Sequence, residues 1–217
     1  MSSPPLRQKP APRRRNADVS RRAILDAAEA LFSERGLDRA SLQAIGRRAG
    51  VSSGLPSYFF GDKEGVHRAV MERLMAEREA RLEPLAAAAG AAAEAGGDLR
   101  EALAVLIDGY IDFLRERPAL VRLMGREALD GGRRLGPDPR HSVAVERGLV
   151  RLVRSLGRDL PTIDSQQLLI TTVALCFFPL EHNDTMLAAM GLDATTETFA
   201  AARKRHVVDV LARVLLG

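Results

Sequence analysis

The chain has 217 residues, 46% of them apolar and 28% charged, with a formal net charge of +4. That is enough for a sizeable core, and the single cysteine, Cys176, excludes an intrachain disulfide framework or a cysteine zinc cluster. No apolar run approaches the roughly 20 residues needed to span a bilayer, and no apolar segment follows the basic N-terminus as it would in a secretory signal, so a cytoplasmic protein is expected.

Ala, Leu, Arg and Glu dominate while β-branched and aromatic residues are sparse, a composition that favours helix and predicts an all-α fold. Residues 1–63 carry twelve Lys and Arg against six Asp and Glu, and the remainder carry twenty against twenty-two. A basic first third on a near-neutral body points to a polyanionic partner for that third alone.

Residues 1–17 hold four prolines, five basic side chains and no acid, a segment expected to be disordered. It serves either as a spacer or as an arm whose Arg13, Arg14 and Arg15 reach phosphates or a minor groove. From Asp18 to Arg35, Ile24, Ala27, Ala28, Leu31 and Phe32 form one helical stripe, and Gly36 supplies a left-handed stop. Ser41 caps a second helix with Leu42, Ile45 and Ala49 turned inward. Gly50 makes the positive-φ turn, and Val51 plugs it. Ser52 is expected to cap a third helix reaching about Phe59, in which Pro56 would stand at the fourth position. Asp62 caps a fourth helix from Lys63. The later helices are predicted at 63–88, 98–116, 118–129, 140–158, 164–182 and 195–215, with Pro84 expected to kink the fourth or end it early.

Two short helices around a glycine turn are the layout of a helix-turn-helix DNA reader, residues 18–63 in all. The third helix offers Ser53, Leu55 and Ser57 from its first turns, beside Ser52 and a ring of unpaired amides suited to a phosphate. Tyr58 can donate its hydroxyl to a phosphate, and Lys63 can neutralise one. Ser41 and the start of the second helix can clamp the opposite strand, with Gln43, Arg47 and Arg48 alongside. The third helix holds no Arg, Lys, Asn or Gln, so the common bidentate base contacts are unavailable from it. Base reading is therefore expected from serine hydroxyls, an apolar contact of Leu55 with a thymine methyl, Gln43 and DNA shape.

Residues 18–66 resemble the TetR family of bacterial transcriptional regulators. The resemblance rests on Ile24, Leu25, Ala27, Ala28, Leu31, Phe32 and Gly36, then Ser41, Leu42, Ile45, Ala49, Gly50, Val51, Ser52 and Gly54, then Tyr58, Phe59, Phe60, Lys63 and Glu64. It implies operator contacts at Ser41, Ser53, Tyr58 and Lys63. Relatives usually carry a basic or polar residue at Ser53, an aromatic at Ser57 and a histidine at Phe59. The resemblance further implies that residues 64–217 form a helical bundle for effector binding and dimerisation.

The wide apolar face of the predicted helix at 164–182 and the inner stripe of the one at 195–215 fit a homodimer built on both. A cavity is expected among the fourth to eighth predicted helices, lined by Met71, Met75, Tyr110, Phe113, Leu114, Met124, Glu127, Phe177 and His182. The pair Glu64 and His67 occurs once, so no metal is expected. No cofactor loop or acid–base constellation suggests an enzyme. The reading is a dimeric repressor of duplex DNA on a palindromic site, released by a small-molecule effector. Two alternatives are an architectural DNA-binding protein without effector and an all-helical enzyme.

Overall fold

Short acids, serine, glycine and proline set the helix limits, and they do so largely through the backbone groups that a helix leaves unpaired at its ends. The computed structural model describes residues 12–134, 150 and 164–216. Its helices are α1 (Pro12–Arg35), α2 (Leu42–Arg48), α3 (Leu55–Phe60), α4 (Lys63–Glu94), α5 (Leu99–Glu116), α6 (Pro118–Leu129), α7 (Ser165–Glu181) and α8 (Glu197–Leu216), with a π-helical turn at Asn183–Leu187. No strand occurs among the described residues, so the fold is all-α. The chain divides into two compact units, Met1–Val70 and Met71–Gly217.

In the first unit the α1 stripe is buried as its spacing requires, from Ile24 to Phe32. The Phe32 ring meets the buried His67 imidazole edge-on at 5.4 Å. Ser41 caps α2, its Oγ accepting from Ala44 N at 3.2 Å. The turn closes at Gly50, whose φ is +67°, and Val51 N donates to Gly46 O at 3.0 Å. Gly46 matters for a different reason. A Cβ there would stand 3.3 Å from both Ser52 O and Ser53 Cα, so a side chain would push α2 and the turn apart by a few tenths of an ångström.

Four expectations change in this unit or at its edge. Helix α1 begins at Pro12 rather than Asp18, since proline at a first helical position loses no amide bond. Ser52 does not cap α3, which starts at Leu55 behind Gly54 and has no side-chain cap; Ser52 instead gives its carbonyl to Leu55 N at 3.1 Å. Pro56 therefore lies in the first turn, where its missing amide would have had no helical partner. Helix α4 runs on past Pro84 to Glu94. Pro84 and Ala80 are both exposed, so water can reach the carbonyl that the proline leaves unpaired, and the alanine-rich stretch beyond favours helix. Apart from residue 150, which is helical, the helix expected at 140–158 lies outside the described residues.

In the second unit α5 is the central element. Asp98 caps it, accepting from Arg100 N at 2.8 Å, and residues from Leu99 to Leu114 bury an apolar face against α7 and α8. Charged pairs fix the α5–α8 register at its rim: Arg100 with Asp209, Asp112 with Lys204 at 2.7 Å, and Arg115 with Glu197 at 2.6 Å. Asp164 caps α7 through Gln166 N at 2.8 Å. Burial pushes the Cys176 thiol up to about 12, so it packs as a small apolar residue.

Helix α7 contains Pro179, which has no amide to give the Leu175 carbonyl four residues earlier. Arg203 of α8 fills that vacancy. Its Nε and Nη2 donate to Leu175 O at 2.8 and 2.6 Å.

Candidate nucleic-acid interface and ligand cavity

The reader surface lies within the first unit. Ser41 at the cap of α2 and Gln43 and Arg47 within it are exposed, as are Ser52 and Ser53 in the turn and Ser57 and Tyr58 on α3. Leu55 and Lys63 are half-buried. Tyr58 is 82% exposed, which leaves its hydroxyl and most of its ring to an outside partner. Its ring packs edge-on to Phe59 at 5.3 Å, which orients it. Ser57 is already engaged, its Oγ donating to Gly61 O at 2.8 Å; its lone pairs remain open to a donor.

The two arginines of α2 differ. Arg48 makes a bidentate pair with Glu34, 2.8 Å to each carboxylate oxygen, and that hydrogen bonding holds its guanidinium above the ordinary value. Arg47 has no such partner among the described residues and is the open charge of this helix. The Arg21 guanidinium sits over the Phe60 ring, 5.2 Å from its centroid, and ties α1 to the end of α3. Neither the Glu34–Arg48 pair nor the Arg21–Phe60 stack carries a sequence signal, because both join residues far apart in the chain.

Helix α4 leaves α3 through Gly61, at φ +80°, and Asp62, whose Oδ1 accepts from Gly65 N at 2.6 Å. This places Lys63 at the first position of α4, beside the end of α3. Gly65 was not singled out by the sequence, yet a Cβ at that position would collide with the Phe60 carbonyl oxygen.

The second unit contains a cavity of about 790 Å³. Helix α5 contributes Leu114 and Arg115, and α6 contributes Val121, Arg122, Gly125, Arg126 and Leu129. The opposite wall is Leu180, Glu181 and His182, followed by Asn183, Asp184 and Thr185 of the π-helical turn. The His182 imidazole stacks on Phe178 at 4.1 Å, and its Nδ1 is 3.6 Å from Glu181 Oε2. Asn183 Oδ1 accepts from Ala194 N at 2.7 Å, which closes the connector onto itself.

Of the residues expected to line a cavity, Leu114 and His182 line this one. Met71, Met75, Tyr110 and Phe113 are buried in the core, and Met124 and Phe177 are half-buried. Burial raises the Tyr110 phenol well above its ordinary range. Glu127 is buried 3.8 Å from Arg134, and desolvation raises its carboxyl against that cation's opposing pull. The spacing Arg122 to Arg126, four residues on one helix, was the readable sign of the cavity's charged wall. Among the described residues no group of three or more His, Cys, Asp or Glu could hold a metal ion, and no helix is long and apolar enough to cross a membrane.

Residues 24–70 match the profile of bacterial regulatory proteins of the tetR family, and residues 100–211 match that of the tetracyclin repressor-like C-terminal domain. The HTH-type transcriptional regulator BetI of Stenotrophomonas maltophilia (strain R551-3) is 33% identical over 94 residues, 43% of this chain and 45% of that protein. The chain thus spans under half the length of such curated relatives. SmeT, the repressor of the Stenotrophomonas maltophilia multidrug efflux pump SmeDEF, is 26% identical, with a TM-score of 0.60 and 89% of each chain covered. A TetR-like transcriptional regulator from Rhodococcus sp. RHA1 shares the fold at a TM-score of 0.65 and 21% identity, over 97% of this chain and all of that one.

Proposed function

Because the chain belongs to the TetR family of bacterial transcriptional regulators, we propose that it is a repressor that grips a palindromic operator as a homodimer and lets go when a small molecule binds its second unit. The matched family and relatives are regulators and not enzymes. The observation that carries the DNA reading is Tyr58, a large ring left 82% exposed on a six-residue helix, with Ser41, Gln43, Arg47 and Ser53 exposed in the same unit. Hydroxyls, helix-start amides and a lysine of this kind contact phosphates and fix register on duplex DNA. Residues 18–63 are the reader in this proposal, and residues 64–217 the effector and dimerisation part.

Pairing through α7 and α8 is supported by apolar side chains left uncovered there. Ile170, Phe178 and Val214 are 58%, 41% and 49% exposed. A twofold pair would carry two readers to two half-sites. Repression is favoured by the stated role of SmeT. Effector release is favoured by a cavity large enough for an organic ligand, with binding shifting the population between two dimer conformers through α4.

Selection of bound sequences from a random duplex pool, with and without candidate metabolites, tests the whole reading. A palindrome that disappears with one compound supports it; a chain that stays monomeric and selects nothing overturns it. Two further outcomes are expected. Leu55→Ala will relax preference at one or two base pairs of the selected site while leaving the rest of the profile, and an unchanged profile refutes the Leu55 contact. Affinity will fall steeply with salt, by about tenfold or more between 50 and 200 mM, as counterions return to the phosphates. A flat salt response in equilibrium titrations rules out phosphate contacts as the source of affinity.

A further inference from the structure

We propose that the cavity of the second unit takes an amphipathic organic anion, its carboxylate bridged by Arg122 and Arg126 and its apolar body laid on Leu114, Val121 and Leu180. The inference rests on the effector reading above and names the chemical class of that effector.

It follows from how the charged groups on the wall are engaged. Arg115 donates to the Thr195 carbonyl at 3.1 Å and to Glu197 at 2.6 Å, with Asp112 at 3.6 Å. Asp184 accepts from Asn183 Nδ2 at 3.0 Å. Glu181 lies across Gly125, where a Cβ would stand 2.6 Å from its Oε1, and faces His182. Arg122 and Arg126 line the same cavity, are exposed, and have no hydrogen-bond or ion-pair partner among the described residues. Their spacing puts both guanidiniums on one face of α6, one turn apart, where like charges repel. A carboxylate between them would meet two planar forks and cancel that repulsion. An organic cation would meet the same two charges unfavourably on α6 and would have to seat instead on Glu181 and Asp184, which line the same cavity, an outcome that an ammonium probe detects. The head group fills a small part of about 790 Å³, and the apolar side chains from α5, α6 and α7 leave the remaining space to a hydrocarbon or aromatic body.

Decanoate, decanol and decyltrimethylammonium, each below its critical micelle concentration, separate the possibilities on the full-length chain. Isothermal titration should show decanoate binding about tenfold or more tightly than decanol, with the ammonium compound weakest. The double substitution R122Q/R126Q should remove the preference for decanoate, and R122K/R126K should retain much of it. Both positions are exposed, so circular dichroism should be unchanged for either double variant. Equal binding of decanoate and decanol overturns the proposal, as does preference for the ammonium compound, unchanged decanoate affinity in R122Q/R126Q, or no binding of any probe. DNA binding is measured on the same samples. A chain that selects an operator but ignores decanoate refutes this inference alone, and one that binds decanoate through the arginines but no duplex refutes the regulator reading alone.

Discussion

Gly65→Ala will destabilise the first unit by about 2–3 kcal/mol and abolish operator binding with it. Two effects oppose each other at this position. Alanine is the better helix former by about 1 kcal/mol, so propensity alone predicts a gain. Against that, the added methyl has no room, because the Phe60 carbonyl oxygen occupies its place at the junction of α3 and α4. That neighbour is backbone and cannot rotate away. To admit the methyl, α4 must tilt off α3 or the Asp62 cap must open, where Oδ1 holds Gly65 N at 2.6 Å. Either movement shifts Lys63 relative to Tyr58, which is why DNA affinity will fall together with stability. Gly54→Ala is the matched control. Its φ is not positive and no atom stands within 4 Å of the added Cβ, so its stability will change little. Chemical denaturation of both variants, followed by titration with the selected duplex, decides the matter. A Gly65→Ala chain as stable as wild type would mean that the crossing is looser than the structure has it.

Arg203→Ala will destabilise the second unit by about 2 kcal/mol, the expected cost of losing a charged donor to a carbonyl whose ordinary helical partner is removed by Pro179. The substitution takes both donors from Leu175 O, and Pro179 prevents the helix from replacing them. The sharper test is the double variant with Pro179→Ala. Restoring an amide at 179 gives Leu175 O its ordinary helical partner, so Arg203→Ala will cost less than half as much in that background. Strict additivity in thermal denaturation would show that the arginine acts by packing alone. The same helix end carries Leu180, Glu181 and His182 on the cavity wall, so Arg203→Ala will also weaken the ligand affinity of the second unit.

Local chemistry accounts for what could be read early. The α1 stripe, the Ser41 and Asp62 caps, the Gly36 and Gly50 turns and the limits of α6 each depend on residues within about one helical turn, so periodicity and capping rules reach them. The misplaced start of α3 has the same local origin. Ser52 has the right chemistry for a cap, but Gly54 and Pro56 set a later first turn, and capping rules alone do not rank those choices.

The sequence by itself determined the helical class, the helix-turn-helix in the first third and most of the exposed polar residues on it, because each follows from residue type and spacing along a single helix. Tertiary structure alone decided which of the α2 arginines stays open, why residue 65 tolerates no side chain, how the carbonyl orphaned by Pro179 is answered, and which walls meet around the cavity. Those outcomes depend on atoms that lie far apart in the chain or on backbone elements that cross, and neither distance nor crossing is written in a one-dimensional pattern.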